Sequence, residues 1–137
     1  VVRHAEKAVA ESNPPLSVQG HTRAAMLGQM LNKAQVTKIY STPYQRTEQT
    51  AAPLAKQLGI TLENYRPNAT ESLVTGILTS AENSLVVGHS NTVPDIVRAF
   101  GFNVADLTEQ EYGDLFVIHI NDEKRSLLRL TVPVLAP

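Results

Sequence analysis

Two short apolar runs in this chain each end in a histidine. The chain begins with two valines followed by Arg3 and His4, and the run Leu85–Gly88 is followed by His89. Short runs of β-branched and apolar residues are typical of the buried strands of a parallel sheet. In open α/β sheets, ligands bind beyond the carboxyl ends of the strands. The sequence therefore predicts an α/β fold in which both histidines lie at one edge of the sheet.

The remaining segments alternate between helical and extended patterns. Helices are expected over about 16–33, 42–58, 71–80 and 92–100, with strands between them at Val36–Tyr40 and Ile60–Tyr65. The last two extended runs, Asp114–Ile120 and Ser126–Val132, predict a hairpin joined by residues 121–124. We expect a three-layer sandwich with a mostly parallel central sheet, helices on both faces and an antiparallel C-terminal edge hairpin.

The second helix begins with an arginine in its first turn. We expect Thr42 to cap this helix, with Pro43 at the first position and Gln45 at the third, as in a capping box. The free N–H groups and the positive dipole end of a helix favour anions. The guanidinium fork matches phosphoryl oxygens and keeps its charge. Arg46, together with Arg3, is therefore predicted to bind a phosphoryl group.

Three ordered motifs resemble those of the histidine phosphatase superfamily, the phosphoglycerate-mutase-like group. They are Arg-His-Ala-Glu at 3–6, Ser-Thr-Pro-Tyr-Gln-Arg-Thr-Glu-Gln-Thr-Ala at 41–51 and Gly-His-Ser at 88–90. The order matches the family's, and the resemblance extends from residue 1 to about residue 130. It implies a phosphatase whose catalytic residues include Arg3, His4, Arg46 and His89.

The residue types fit that chemistry. A neutral imidazole nitrogen of His4 can attack phosphorus and form a phosphohistidine that water later hydrolyses. Neighbouring arginines are expected to lower the pKa of His4 and keep it neutral. Arg3, Arg46 and His89 would bind the phosphoryl group, with His89 acting as a hydrogen-bond donor to its oxygens.

The general acid is the role that the sequence defines least. The acid-phosphatase branch of the family has Asp directly after the second histidine, where this chain has Ser90. The mutase branch has Glu some tens of residues after the second-motif arginine, and the nearest match is Glu71. A carboxylate at a helix start also complements the helix dipole, which is the alternative role for Glu71. Glu6 is a weaker rival, expected to form an ion pair at the rim of the site.

Composition excludes several other classes of function. The chain has no cysteine, so disulfides and thiolate chemistry are excluded. No carboxylates lie at ligand spacing from His4 or His89, and we expect neither a metal ion nor a cofactor. A net charge of −1 gives no reason to expect a nucleic acid or a membrane as partner. The two other histidines, His21 and His119, are expected to lie outside the site.

The short interval between Arg46 and His89 bears on the substrate. The family resemblance implies that, in the mutases and larger acid phosphatases, this interval contains an inserted subdomain that covers the pocket. In this chain the interval is residues 47–88, which is too short for such a subdomain. We therefore expect an uncovered pocket that hydrolyses phosphomonoesters or phosphoramidates of a phosphorylated small molecule or phosphoprotein, as in the compact phosphohistidine phosphatases. The alternatives are a phosphate-binding module with little turnover and a mutase-type phosphotransferase.

The length predicts a single histidine-phosphatase-like domain over residues 1–137. The chain has no initiator methionine and its first strand pattern is cut to two residues before Arg3, so we expect it to begin inside a longer native sequence. The sequence leaves open whether the compartment is cytoplasmic or periplasmic/secreted, and it leaves the oligomeric state open as well.

Overall fold

One six-stranded sheet organises the computed structural model, which describes residues 1–9 and 11–134. The strands follow the order β3-β2-β4-β1-β5-β6. Neighbouring strands among the first four are parallel, whereas β5 runs antiparallel to both β1 and β6. Their bounds are β1 (Val2–Arg3), β2 (Lys38–Ser41), β3 (Leu62–Asn64), β4 (Ser84–Gly88), β5 (Asp114–Asn121) and β6 (Lys124–Thr131).

Four helices cover the two faces of this sheet. They are α1 (Val18–Leu31), α2 (Gln45–Leu58), α3 (Thr70–Ser80) and α4 (Val93–Ala99). Leu27 of α1 and Leu54 of α2 belong to the same apolar cluster as Leu85 and Val87 of β4, whereas Ile77 of α3 and Ile96 of α4 belong to a second cluster with Val86. In the described part of the chain, no helix is both long enough and apolar enough to span a membrane.

This architecture confirms the predicted three-layer sandwich, including its antiparallel C-terminal hairpin. The bounds of individual elements differ from the sequence patterns by a few residues. β3 is shorter than the predicted Ile60–Tyr65, and β2 begins at Lys38 rather than Val36. The hairpin turn is Asp122-Glu123, two residues shorter than expected, with a positive φ of 53° at Asp122. Such two-residue turns commonly have positive φ, which Asp tolerates.

The register of the central strands aligns the three motifs. Arg3 of β1 pairs with Gly88 of β4, and the His4 N–H donates to the Gly88 carbonyl at 2.9 Å. On the other side of β4, Ser41 of β2 pairs with Val87. Since these strands are parallel, the chain segments that follow them emerge at the same edge of the sheet. All three motifs therefore meet at the carboxyl end of three adjacent strands.

The predicted start of α2 is wrong. The helix begins at Gln45, its N-cap is Tyr44, and no side chain of the cap residue bonds to the helix. The Thr42 hydroxyl is instead 2.8 Å from His89 Nε2, so it is not free to cap. Asn13 Oδ1, from the loop after β1, accepts from the Gln45 N–H at 3.0 Å. The cap thus comes from a distant loop, which a local capping pattern does not reveal.

The chain between α2 and β4 contains only β3 and α3. This interval therefore holds no inserted subdomain, in agreement with the short spacing between the second and third motifs. Gly59 ends α2 in the left-handed conformation with φ of 68°, which glycine adopts without strain.

We predict that Gly20→Ala destabilises the fold while Gly76→Ala does not. A Cβ at Gly20, in α1, would collide with the backbone carbonyl of Glu6, so the helix or the loop would have to move. We expect the free energy of unfolding to fall by about 1–3 kcal/mol, measured by urea denaturation. Gly76 lies in α3, where an added Cβ would meet no atom within 4 Å outside the glycine's own helix backbone and chain neighbours, and alanine there should add about 0.5–1 kcal/mol. Equal stability of the two variants would contradict the close approach at Gly20.

Candidate active site

His4 follows β1 and has one of its ring nitrogens fixed by the backbone. Its Nδ1 lies 2.7 Å from the Ala5 carbonyl oxygen. A carbonyl oxygen accepts but does not donate, so this contact places the imidazole proton on Nδ1. Nε2 then keeps its lone pair, and no described residue forms a hydrogen bond with it. The local backbone thus selects the tautomer in which Nε2 is nucleophilic.

Burial keeps this ring neutral. His4 is only 4% exposed, and burial lowers its pKa to about 3. The positive charges of Arg3 and Arg46 lower the pKa further, as the sequence analysis expected, but their contribution is smaller than that of burial. A histidine with so low a pKa remains uncharged throughout the physiological pH range, which is the state that can attack an electrophile.

Arg3 is a buried guanidinium held mainly by backbone carbonyls. Its Nη1 donates to the carbonyls of Thr108, Glu109 and Glu111 at 3.3, 3.0 and 2.7 Å. The Tyr112 ring centroid lies 3.9 Å from its Cζ, in a cation–π contact. Its Nε is buried and has no hydrogen-bond partner among the described residues. Arg3 is therefore fixed in place through Nη1, with its buried Nε–H left without an acceptor.

Arg46 lies in the first turn of α2, as predicted. Its guanidinium stacks over Tyr44, with 4.8 Å between Cζ and the ring centroid. Its Nη1 is also buried without a hydrogen-bond partner in the described part of the chain. Buried N–H donors without an acceptor cost free energy, so the two unpartnered donors of Arg3 and Arg46 favour an anionic ligand with oxygen acceptors.

His89 follows β4 and is anchored by two threonines of the second motif. The Thr47 hydroxyl lies 2.8 and 3.0 Å from two backbone carbonyls, so its proton points to one of them. Thr42 must then donate its own hydroxyl proton to Thr47 Oγ1, 2.9 Å away. Thr42 Oγ1 can consequently only accept from His89 Nε2, at 2.8 Å. Neutral His89 therefore carries its proton on Nε2 and leaves Nδ1 as an acceptor.

This arrangement restricts the donor role expected of His89. Burial, followed by the charges of Arg46 and Arg3, lowers the pKa of His89 to about 4. In the neutral ring the only N–H is used by Thr42, so Nδ1 can donate to a phosphoryl oxygen only after it gains a proton. A bound anion would favour that protonation by compensating the positive charge.

Other side chains of the second motif hold the first motif, residues 3–6, in position. The Ala5 N–H donates to Thr50 Oγ1 at 2.9 Å, and the Thr50 hydroxyl donates to the Arg46 carbonyl at 2.7 Å. Gln49 Oε1 accepts from the Leu16 N–H at 2.8 Å. The Gln-Thr pair at 49–50 therefore attaches the loop after His4 to α2, which explains why these residue types follow the arginine.

The two catalytic-candidate histidines face each other between two tyrosines. The ring centroids of His4 and His89 are 5.5 Å apart. Tyr112 lies edge-on to His4 at 6.1 Å, and Tyr44 lies edge-on to His89 at 5.3 Å. Neither tyrosine was predicted as a site residue. Tyr44 lies inside the second motif, but nothing in the sequence connects Tyr112 with Arg3.

The structure brings together four of the five predicted site residues, and the role of the fifth, Glu71, stays a prediction. Glu71 is an exposed residue in the first turn of α3, and no described hydrogen bond or ion pair joins it to the site. Glu6 forms a bidentate ion pair with Arg23 at 2.8 and 2.9 Å, the pairing role expected of it. His21 and His119 are both exposed.

No group of three or more His, Cys, Asp or Glu residues within 1–9 and 11–134 is arranged to hold a metal ion. That the reaction needs no metal ion stays a prediction.

Comparison of this chain with known proteins supports the family that the three motifs indicate. Residues 1–67 match the family model for the histidine phosphatase superfamily, branch 1. These residues include the first two motifs. The predicted family resemblance is confirmed. No curated protein matches the chain.

Solved structures of other proteins have the same fold over most of the chain. The protein histidine phosphatase SixA, solved with tungstate, is 15% identical and superposes with a TM-score of 0.76 over 95% of this chain and 94% of SixA. YhfR of Bacillus stearothermophilus gives a TM-score of 0.73 at 15% identity, covering 92% of each chain. A mycobacterial glucosyl-3-phosphoglycerate phosphatase gives 0.62 at 16% identity, covering 72% of this chain and 76% of its own. At these identities the likeness establishes the fold.

We predict that stability falls as the pH decreases from about 7 toward 5. The pKa values of His4 and His89, about 3 and about 4 in the folded protein, lie below the 6.5 expected when unfolded. The unfolded chain therefore binds more protons in this range, and protonation favours unfolding by at most about 1.4 kcal/mol per pH unit for each histidine. In urea denaturation series, His89→Asn should show a shallower pH slope, whereas His21→Asn, at an exposed position, should keep the wild-type slope. Identical slopes in all three proteins would contradict the neutral buried state.

We predict that Thr42→Val alters the tautomer of His89, because it removes the oxygen that accepts the Nε2 proton. Nitrogen NMR shifts of the His89 ring near neutral pH should report a protonated Nε2 in the wild type and a mixture of tautomers in the variant. The unsatisfied Nε2–H should also cost about 1–3 kcal/mol of stability. Thr42→Ser keeps the hydroxyl and is the matched control. Wild-type shifts in Thr42→Val would show that the hydroxyl relay does not select the tautomer.

Proposed function

We propose that this chain is a phosphatase that hydrolyses phosphomonoesters or phosphoramidates through a phosphohistidine intermediate on His4. One observation supports this most directly. The hydrogen bond from Nδ1 to the Ala5 carbonyl leaves a neutral Nε2 lone pair beside two arginines and a second histidine. A neutral nucleophile among fixed positive charges suits attack on an anionic phosphoryl group.

Arg3, Arg46 and His89 would bind the phosphoryl oxygens in this proposal. The buried Nε of Arg3 and Nη1 of Arg46 would gain the acceptors that they lack among the described residues. Charge-assisted bonds to phosphate are stronger than neutral ones and are directional. Phosphoryl transfer depends mainly on positioning and charge neutralisation, and these two donors provide both.

The reaction would proceed in two steps. His4 Nε2 attacks phosphorus, the bond from phosphorus to the leaving oxygen or nitrogen breaks, and the leaving atom gains a proton. Water then attacks the phosphohistidine, the bond from phosphorus to Nε2 breaks, and the water proton passes to a base. The products are inorganic phosphate and neutral His4, with no requirement for a metal ion or cofactor.

The substrate is proposed to be a phosphoprotein or another phosphorylated molecule that reaches the site from solvent. The chain lacks a subdomain between α2 and β4, so an extended substrate would meet little obstruction. The resemblance to SixA, a protein histidine phosphatase, extends over almost the whole of both chains and supports phosphohistidine as the phosphoryl donor. We propose no nucleic acid or membrane partner.

Two alternatives differ from this proposal in what they do with bound phosphate. A mutase-type phosphotransferase must keep water away from its phosphoenzyme, and the short interval between α2 and β4 gives no cover for that purpose. A binding module would retain the arginines and bind phosphate or vanadate with little turnover. This second alternative would follow if the site had no general acid, and no described hydrogen bond or ion pair joins Glu71 to the site.

We predict that the wild-type protein forms a phosphoenzyme and that His4→Ala does not. Rapid-quench labelling with a generic phosphoryl donor in the presence of EDTA should give a label that survives alkali and is lost in acid. His21→Ala, at an exposed position on α1, should label like the wild type. Turnover by His4→Ala above a few per cent would eliminate His4 as the nucleophile. No label and no turnover in a protein that still binds vanadate would support the binding module.

A further inference from the structure

The proposed mechanism requires a group that moves protons, and the structure offers one that the motifs do not include. We propose that Glu109 is this group. It would act as the base that activates water against phosphorylated His4, and as the acid that protonates the leaving atom in the preceding step. This inference rests on the proposed phosphatase function.

Glu109 lies beside two residues of the site. Its Oε1 accepts from the Ser90 hydroxyl at 3.2 Å, and Ser90 directly follows His89. Its Oε2 is 3.7 Å from Arg3 Nη2. In the acid-phosphatase branch, the position of Ser90 is occupied by the acidic residue itself. Here a serine at that position binds a carboxylate brought in from another loop.

The loop that contains Glu109 is fixed to the site by its backbone. Arg3 Nη1 bonds to the carbonyls of residues 108, 109 and 111, and the guanidinium stacks on Tyr112. Tyr112 in turn lies edge-on to His4. The same arginine that is proposed to bind phosphate thus determines where the Glu109 carboxylate can lie.

The other carboxylates near these elements are engaged elsewhere. Both oxygens of Glu6 are bonded to Arg23. Glu111 accepts from the Thr108 N–H and lies near Arg129. Among the described contacts, Glu109 is therefore the carboxylate whose side chain touches a residue of the proposed phosphate site.

The geometry suits proton transfer. The 3.7 Å separation from Arg3 Nη2 is longer than a hydrogen bond, so Oε2 retains lone pairs for a proton. The side chain is 75% exposed and can exchange protons with water. In the first step the protonated carboxyl donates to the leaving atom as its bond to phosphorus breaks. In the second step the carboxylate takes a proton from the attacking water, which restores the starting state.

The test is Glu109→Gln, which keeps the size of the side chain and removes its acid–base function. With 4-nitrophenyl phosphate, whose leaving group needs little protonation, the first burst of nitrophenol should be nearly unchanged. The second step should slow, so that steady-state turnover falls about 100-fold or more and the phosphohistidine label accumulates. With an alkyl phosphate, whose leaving group needs a proton, the rate of the first step should fall as well.

Asp106→Asn is the matched control, because it removes another exposed, ion-paired carboxylate from the segment between α4 and β5. It should retain the wild-type burst and turnover. Wild-type turnover in Glu109→Gln would overturn the proposal. Loss of the nitrophenol burst together with the label would also overturn it, since that result would assign Glu109 to substrate binding or to support of Arg3. A wild type that neither labels on His4 nor turns over would instead reject the phosphatase function itself.

Discussion

The parallel pairing of β1 with β4 is the constraint on which the site depends. Arg3 lies opposite Gly88, and the His4 N–H is bonded to the Gly88 carbonyl. A shift of one residue would turn the side chains of β1 to the opposite faces of the sheet, since successive side chains alternate. Val2 would then leave the apolar core, and Arg3 would enter it. The burial of one valine therefore helps to fix the place of both histidines.

A buried arginine is costly unless its charge is compensated, and this chain compensates Arg3 with dipoles more than with a counter-ion. Three carbonyls and a tyrosine ring surround the guanidinium, while the nearest carboxylate is solvent-exposed and beyond hydrogen-bond distance. A fully paired guanidinium would have little left for a ligand. Neutral partners hold Arg3 in position and leave most of its charge available to a phosphoryl anion.

The sequence was sufficient for the sandwich and for four of the five site residues, because strand ends in a parallel sheet have a predictable location. It was insufficient where contacts join residues far apart in the chain. Thr42 resembles a helix cap locally, but its hydroxyl is 2.8 Å from His89, and the cap comes from Asn13. Glu71 matches a family spacing, but no described hydrogen bond or ion pair joins it to the site, and its acid role stays a prediction. The contact of Glu109 with Arg3 has no counterpart in the sequence pattern, because the 108–112 loop has no motif of its own.

In both histidines, neutral hydrogen-bond partners determine which ring nitrogen carries the proton. A backbone carbonyl places the His4 proton on Nδ1, and a chain of two hydroxyls ending at a carbonyl places the His89 proton on Nε2. Carboxylate partners would have raised the pKa of either ring and favoured the charged form. Hydroxyl and carbonyl partners orient the rings without that effect, so burial can keep both neutral. The site can thus hold two nearby imidazoles and two arginines without adding positive charge that an incoming anion has not yet compensated.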